Sequence, residues 1–269
     1  MRIFIYGTLL QGLHRHYLIK NSVLLGPGKI VGKLWDLGNY PGLTQGDGSV
    51  IGEVFESDTN IIQQLDIMEV FYQKLPSKSL FIRESTEVKL FCGEVTFADC
   101  YFYNGPVINY GSPISCGDYR RYLLEKFSSY QWITFYGSNI SSARLSKRIG
   151  QPIDVMKGYI PNFKLVFNKL GVDSNSRANI RFDDNGPQVP AVAYLLKPEQ
   201  VSIMDNYEGE PDHYMRISAI FRDEKNISKI CQTYIANPDM LVPEKVPSSD
   251  YLTHIIKGYR EFGFPIPEI

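Results

Sequence analysis

Short apolar runs separated by turn-forming residues dominate the chain. Residues 3–6, 28–36, 52–56, 87–90 and 98–103 read as strands by their alternation and their β-branched and aromatic content. Between them, 60–71 carries apolar residues at helical spacing, with Ile61, Leu65 and Met68 on one face. An amphipathic helix follows at 118–127. The second half repeats the alternation: 164–168, 189–195, 213–220 and 232–236 are strand-like. A short helix at 198–207 has Pro198 in its first turn, and a last helix spans 250–262. Strands outnumber helices and do not strictly interleave with them. The pattern therefore predicts an α+β protein built on antiparallel or mixed barrels, not a Rossmann sheet.

The two halves follow one plan. Arg2-Ile-Phe-Ile-Tyr-Gly-Thr-Leu-Leu10 and Gln131-Trp-Ile-Thr-Phe-Tyr-Gly-Ser-Asn139 are both β-rich runs ending in Tyr-Gly and a hydroxyl residue. Leu65-Asp-Ile-Met-Glu69 matches Met204-Asp-Asn-Tyr-Glu208, Cys100-Tyr-Phe-Tyr103 matches Cys231-Gln-Thr-Tyr234, and Gly117-Asp-Tyr119 matches Ser249-Asp-Tyr251. The anchors recur in the same order with loop-sized differences in spacing, the signature of an internal repeat. The division falls near residue 128, giving expected domains 1–128 and 129–269.

Composition narrows the function classes. The 269 residues are 43% hydrophobic and 21% charged, enough for real cores. Lys and Arg (28) balance Asp and Glu (29), which argues against an electrostatic nucleic-acid binder or a polybasic membrane anchor. No apolar run reaches the ~18 residues of a membrane span. The apolar start reads as a first strand and not a signal peptide. The four cysteines form no Cys-x-x-Cys pair and read as reduced thiols of a cytoplasmic protein. The four histidines offer no metal-ligand spacing, so no metal or cofactor is expected.

The recurring residues carry the candidate chemistry. A Gly directly after a strand lets backbone approach a ligand, and successive amides there can cradle a carboxylate or an oxyanion. Tyr6, Gly7, Thr8 and Leu9, and Tyr136, Gly137, Ser138 and Asn139, are the candidate cradles. The pattern lacks the Lys of a phosphate loop. Glu69 and Glu208 each end a short helix three residues after an Asp, on a shared face. If that face lines a pocket, desolvation raises the Glu pKa and suits it to acid/base work. Tyr103, Tyr119, Tyr234 and Tyr251 are candidate pocket hydroxyls. Neither half has a Ser-His-Asp or Cys-His arrangement, which disfavours nucleophilic hydrolysis.

At these residues the chain resembles the γ-glutamylcyclotransferase superfamily. The first half is similar to its γ-glutamylamine cyclotransferase or avirulence-induced-gene-like branch, through Phe4-Ile-Tyr-Gly-Thr-Leu9, Asp66-x-x-Glu69 and Ile114-x-x-Gly-Asp-Tyr119. The second is similar to the γ-glutamylcyclotransferase branch proper, through Phe135-Tyr-Gly-Ser-Asn139, Arg177-Ala-Asn-Ile180, Asp205-x-x-Glu-Gly209 and Pro247-Ser-Ser-Asp-Tyr251. The resemblance implies a small γ-glutamyl substrate that closes on itself, releasing 5-oxoproline and a free amine or amino acid. It implies Glu208 and Glu69 as acid/base groups, the two Tyr-Gly turns as cradles, and Tyr251 as a substrate contact, with no cofactor. A binding module that no longer turns over, and a tandem in which one repeat only supports the other, are the rival expectations; the oligomeric state stays open. The first half departs from the pattern with Val70 where Gly follows Glu208. That predicts a narrower or differently shaped first pocket and most of the activity at Glu208.

Overall fold

The apolar N-terminal run becomes β1 (Arg2–Ile5), in which Ile3, Phe4 and Ile5 are all buried. The computed structural model describes residues 1–107, 111–186 and 188–267, and these form two compact units, Met1–Leu123 and Leu124–Ile269.

In the first unit β1 is followed by β2 (Val23–Asp36), β3 (Pro41–Glu56), α1 (Thr59–Met68), β4 (Phe81–Leu90), β5 (Val95–Tyr103), β6 (Ser112–Pro113) and α2 (Tyr119–Phe127), whose C-terminal residues belong to the second unit. The sheet order is β3-β1-β5-β4-β2, and β2 pairs back onto β3, closing a five-stranded barrel; β6 adds a short edge to β2. β1 runs antiparallel to β3 and parallel to β5, with Ile3 opposite Asp99. The core gathers Ile3, Ile5, Val54, Phe55, Val88 and Cys100 from the strands, and Ile62 and Leu65 from α1. Asp58 starts α1 by accepting the Ile61 amide at 2.8 Å, an N-cap that satisfies an otherwise orphaned donor.

The second unit repeats the barrel with β7 (Gln131–Phe135), α3 (Ser142–Ile149), β8 (Asp154–Ile160), β9 (Phe163–Leu170), β10 (Ser176–Phe182), β11 (Val189–Leu196), α4 (Pro198–Glu208), β12 (Tyr214–Asp223), β13 (Ser228–Ala236) and α5 (Ser249–Glu261). The order β11-β7-β13-β12-β8 closes through β8 and β11, and β9 and β10 form a separate hairpin. β7 runs parallel to β13, with Ile133 opposite Gln232. The mixed α+β barrel predicted by the strand pattern is thus present twice.

The two parallel pairings set a residue-by-residue correspondence: Ile3 with Ile133, and Asp99 with Gln232. Two residues further along β5 and β13 come Tyr101 and Tyr234. Tyr101, and not Tyr103, is therefore the counterpart of Tyr234. The cross-strand registers agree, since Arg83 faces Tyr101 and Arg216 faces Tyr234.

Candidate functional site

β1 and β7 each run into their Tyr-Gly turn, and the tyrosine anchors it from below. Tyr6 Oη donates to the Tyr101 carbonyl at 2.7 Å, and Tyr136 Oη to the Tyr234 carbonyl at 2.6 Å, with both rings buried. The turn then closes identically: Leu10 N donates to Gly7 O and Ile140 N to Gly137 O, each at 3.0 Å. Gly137 has φ −99°, outside the left-handed region, and the space beside it is tight. A Cβ there would lie 3.1 Å from Ala178 Cβ and 3.6 Å from Tyr251 Oη, and one at Gly7 would lie 2.9 Å from Pro41 Cγ.

The Asp of each Asp-x-x-Glu segment roots its helix to the barrel. Arg83 donates to Asp66 through Nε (2.9 Å) and Nη2 (3.3 Å), and Tyr101 Oη adds a bond of 2.7 Å. In the second unit Arg216 grips Asp205 through Nε (2.8 Å) and Nη2 (3.1 Å), with Tyr234 Oη at 2.6 Å. Arg216 also bonds Glu125 at 2.7 Å and the Gln232 side chain. With the Asp spent on this fork-shaped pairing, the Glu that ends the helix turns towards the Tyr-Gly turn.

Both helices stop in the same way. The residue after the Glu is left-handed in each: Gly209 at φ +65° and Val70 at φ +52°. Phe71 N returns to Asp66 O at 2.8 Å, as Glu210 N returns to Asp205 O at 3.0 Å, the six-to-one bond of a Schellman ending. Val70 thus adopts the backbone that glycine adopts freely, a strained state for a β-branched residue.

Glu69 lies across a cavity of ≈ 140 Å³ from the turn Tyr6–Leu9, with Arg15, Tyr40, Pro41, Phe81 and Tyr101 among the other walls. Burial pushes the Glu69 carboxyl up to about 7, against the opposing pull of Arg15. Glu208 faces Tyr136, Gly137, Ser138 and Asn139 across a smaller cavity of ≈ 40 Å³, walled also by Ala178, Tyr214, Tyr234 and Tyr251. Its side chain is 15% exposed. Burial raises its pKa, while Arg148, the Asn139 amide, Lys169 and Arg144 pull it down. Asn139 Nδ2 donates to Glu208 Oε1 at 2.6 Å, and Arg148 Nη1 holds Asn139 Oδ1 at 2.9 Å. Leu9 stands where Asn139 does and supplies no such bond. Desolvation raises the pKa of Tyr6, Tyr136, Tyr214, Tyr234 and Tyr251, keeping these hydroxyls as donors at neutral pH.

The first cavity is therefore the larger: of the two alternatives drawn from Val70, it is differently shaped and not narrower. Val70 is exposed and does not line it. The difference arises in the second unit: Tyr251 Oη accepts the Ala178 amide at 3.2 Å, and Tyr214 Oη donates to the Ala178 carbonyl at 2.7 Å. These two rings occupy the second pocket, and the counterpart of Tyr214 in the first is Phe81.

The structure brings Glu69 together with Tyr6, Gly7, Thr8 and Leu9, and Glu208 with Tyr136, Gly137, Ser138, Asn139, Tyr234 and Tyr251. Two expected residues fall elsewhere. Tyr103 packs edge-on against Phe81 and leaves the wall to Tyr101, and Tyr119 is a core residue stacked with Tyr122. Sequence reasoning missed Arg15, Tyr40, Tyr101, Tyr214, Arg144 and Arg148. A signal for Tyr101 and Tyr214 existed: Phe81-Ile-Arg83 and Tyr214-Met-Arg216 form a further repeat of aromatic, apolar, Arg. Among the described residues, no three His, Cys, Asp or Glu side chains gather as a metal site, and no helix is long and apolar enough to cross a membrane.

Comparison with known proteins places this geometry. The family model of AIG2-like γ-glutamyl cyclotransferases matches residues 3–121, and that of the AIG2-like family matches 188–267. A Vibrio cholerae protein provisionally named as a γ-glutamylcyclotransferase is 45% identical over 69 residues, covering 25% of this chain and 60% of that protein. The γ-L-glutamyl-butirosin B γ-glutamyl cyclotransferase of Niallia circulans is 34% identical over 88 residues, covering 32% of this chain and 56% of that protein. YkqA of Bacillus subtilis, also provisionally named as a γ-glutamylcyclotransferase, is 27% identical over 219 residues, covering 77% of this chain and 73% of that protein. The YkqA crystal structure shares the fold with a TM-score of 0.76 at 22% identity, covering 97% of this chain and 91% of that one. The matches to the Vibrio and Niallia proteins thus span less than two thirds of those relatives. The chain belongs to the γ-glutamylcyclotransferase superfamily as a tandem of AIG2-like domains.

Proposed function

We propose that the protein is a γ-glutamyl cyclotransferase with two sites, in which Glu69 and Glu208 are the acid/base groups. One observation carries this reading: in both units a desolvated carboxylate faces a Tyr-Gly turn across a cavity, with no other acid on the wall. The carboxylate takes a proton from the substrate's α-amine nitrogen as that nitrogen attacks its own γ-carbonyl carbon. The new C–N bond closes a five-membered lactam, and the oxyanion rests on the amides of the turn. Collapse breaks the bond to the leaving nitrogen, which receives the proton from the Glu. The products are 5-oxoproline and a free amine, and the carboxylate is regenerated without water or redox change. Intramolecular attack in a fixed geometry removes much of the entropic barrier, so one acid/base group and one cradle suffice. The wider first cavity, with a carboxyl poised near 7 and free of the Asn139-type bond, supports a full share for Glu69 beside Glu208.

The test is release of 5-oxoproline and amine in equal amounts from a panel of γ-glutamyl amines and amino acids. Glu69→Gln/Glu208→Gln, which keeps shape and removes proton transfer, is expected to lower turnover by about 10²–10⁴. Binding of the panel with no 5-oxoproline from any member would make the protein a binding module instead.

A further inference from the structure

Glu208 sits at the end of a hydrogen-bonded chain of fixed polarity. Arg148 Nη1 donates to Asn139 Oδ1 at 2.9 Å, and Asn139 Nδ2 donates to Glu208 Oε1 at 2.6 Å. A guanidinium has donors only, so the carbonyl end of the amide must face Arg148 and its NH2 end the carboxylate. Met204 Sδ, 3.6 Å from Asn139 Nδ2, accepts from the same end. Asn139 is buried, and the Arg148 guanidinium is steadied 4.9 Å from the Tyr207 ring. A carboxylate oxygen that already accepts a short, charge-assisted bond is the poorer proton acceptor of its pair. In the first unit Leu9 stands in the place of Asn139, and its side chain has no donor to offer Glu69.

Other charges surround Glu208. Arg144 lies one turn before Arg148 on α3, and Lys169 comes from β9; with Arg148 and the Asn139 amide they oppose the burial that raises the Glu208 pKa. Arg177 of β10 lies 5.0 Å from the Tyr251 ring, and Asp205 of α4 is held by Arg216. The hydroxyls of Tyr136, Tyr214, Tyr234 and Tyr251 stay neutral around the carboxylate. Among the described residues, Arg148 is the cation joined to Glu208 through a hydrogen-bonded chain.

We propose that Arg148 is a positioning residue of the second site: by deciding which end of the Asn139 amide faces Glu208, it reserves Oε2 as the oxygen that takes the proton from the substrate amine and returns it to the leaving nitrogen. This rests on the cyclotransferase reading and adds how its second site is regulated differently from its first. Glu208 is held ionised and aimed before substrate arrives, whereas Glu69 has neither oxygen reserved. Without Arg148 the amide is free to turn its carbonyl towards the carboxylate, which disfavours the charged form.

Two measurements on the full chain test it. NMR titration of isotope-labelled glutamate carboxyls, with Glu208 assigned by its loss in Glu208→Gln, reads the proton affinity. Release of 5-oxoproline by Glu69→Gln, in which the second site works alone, reads the reaction. Added to Glu69→Gln, Arg148→Met is expected to move the Glu208 titration and the acid limb of kcat/KM upward together by about one pH unit. It should also lower kcat about tenfold with KM little changed. Asn139→Leu should do the same, and combining the two should add little, because the chain is already cut. Arg148→Lys, which can still donate to Oδ1, should recover part of kcat. Thermal unfolding checks the fold of each variant, and Asn139→Leu with Arg148→Lys carries the test should Arg148→Met not fold. Additive effects of Arg148→Met and Asn139→Leu would overturn the proposal, because Arg148 would then act by charge alone. An unmoved titration and an unmoved kcat in Arg148→Met would overturn it too. No 5-oxoproline from Glu69→Gln, with the Glu208 titration still moved by Arg148→Met, would instead remove the cyclotransferase reading of the second site and support the positioning of its carboxylate.

Discussion

The two cavities share a skeleton and differ in how their carboxylates are held. Glu69 and Glu208 end equivalent helices, root through equivalent Asp–Arg–Tyr sets and face equivalent turns. Burial is the largest influence on both and raises both, yet Glu69 is opposed by Arg15 alone, whereas Glu208 is opposed by Arg148, the Asn139 amide, Lys169 and Arg144. One difference at the turn, Leu9 against Asn139, and one on the strand, Phe81 against Tyr214, add an amide and a hydroxyl to the wall of the second pocket. The barrel thus fixes where the carboxylate stands, and a few side chains at its rim set its proton affinity and its neighbours.

The rooting sets offer the sharpest way to break this comparison. Arg216 is 6% exposed and serves Asp205, Glu125 and Gln232, while Arg83 is 16% exposed. Arg216→Met leaves Asp205, Glu125 and the buried Gln232 without their shared donor and is expected to cost about 3–5 kcal/mol in denaturant unfolding of the second unit. Arg83→Met should cost the first unit less, about 1–2 kcal/mol, because Arg83 is itself less buried and holds no fully buried side chain comparable to Gln232. Equal costs would mean that the two sets are not graded by burial.

Next in size is a pH effect at the carboxyl of the first unit. The Glu69 pKa is raised from 4.5 unfolded to about 7 folded, so the native state binds its proton more tightly. The associated stability is fully present below about pH 4.5 and is lost as pH rises through 7, by about 3 kcal/mol at most. Glu69→Gln is neutral throughout and escapes that loss. Melting curves of the two proteins should converge near pH 4 and separate above pH 7, with the variant the more stable. Parallel curves from pH 4 to 9 would contradict the desolvated carboxyl.

The helix endings give the smallest contrast. Gly209→Val imposes the strain Val70 already bears, and its Cβ would meet His213 Cδ2 at 2.8 Å, so a loss of about 2 kcal/mol is expected. Val70→Gly relieves the strain but frees the unfolded chain, leaving a gain of about 0.5 kcal/mol. Thermal unfolding checks both signs.

How far these features were legible in the sequence follows from their physics. The buried run of β1 and the helical face Ile61, Leu65 and Met68 are local patterns, and they were readable. The Tyr-Gly turns and the two Glu were readable because they recur. Tyr101 was missed through a slip of two residues in aligning β5 with β13. An even slip keeps every side chain on its own face of the strand, so alternation cannot expose it. The Gly-rich stretch 41–51 carries no strand signal in the sequence, yet pairing with β2 makes it strand. Arg15 comes from a loop whose tie to Glu69 is tertiary, whereas Ala178 lies within the Arg177-Ala-Asn-Ile180 motif that the sequence already marks. Pocket size did not follow from Val70 because that residue bears on the helix ending and lies outside the cavity wall.

The central claim, that two Glu-bearing sites each close the lactam, is tested most directly by 5-oxoproline release from Glu69→Gln, Glu208→Gln and the double variant across pH. Each single variant is predicted to keep the share of the other site, and the double variant to lose both. In Glu208→Gln the surviving kcat/KM should rise with pH through about 7, where Glu69 gives up its proton. Turnover that survives in the double variant, or that vanishes entirely with one substitution, would contradict the account.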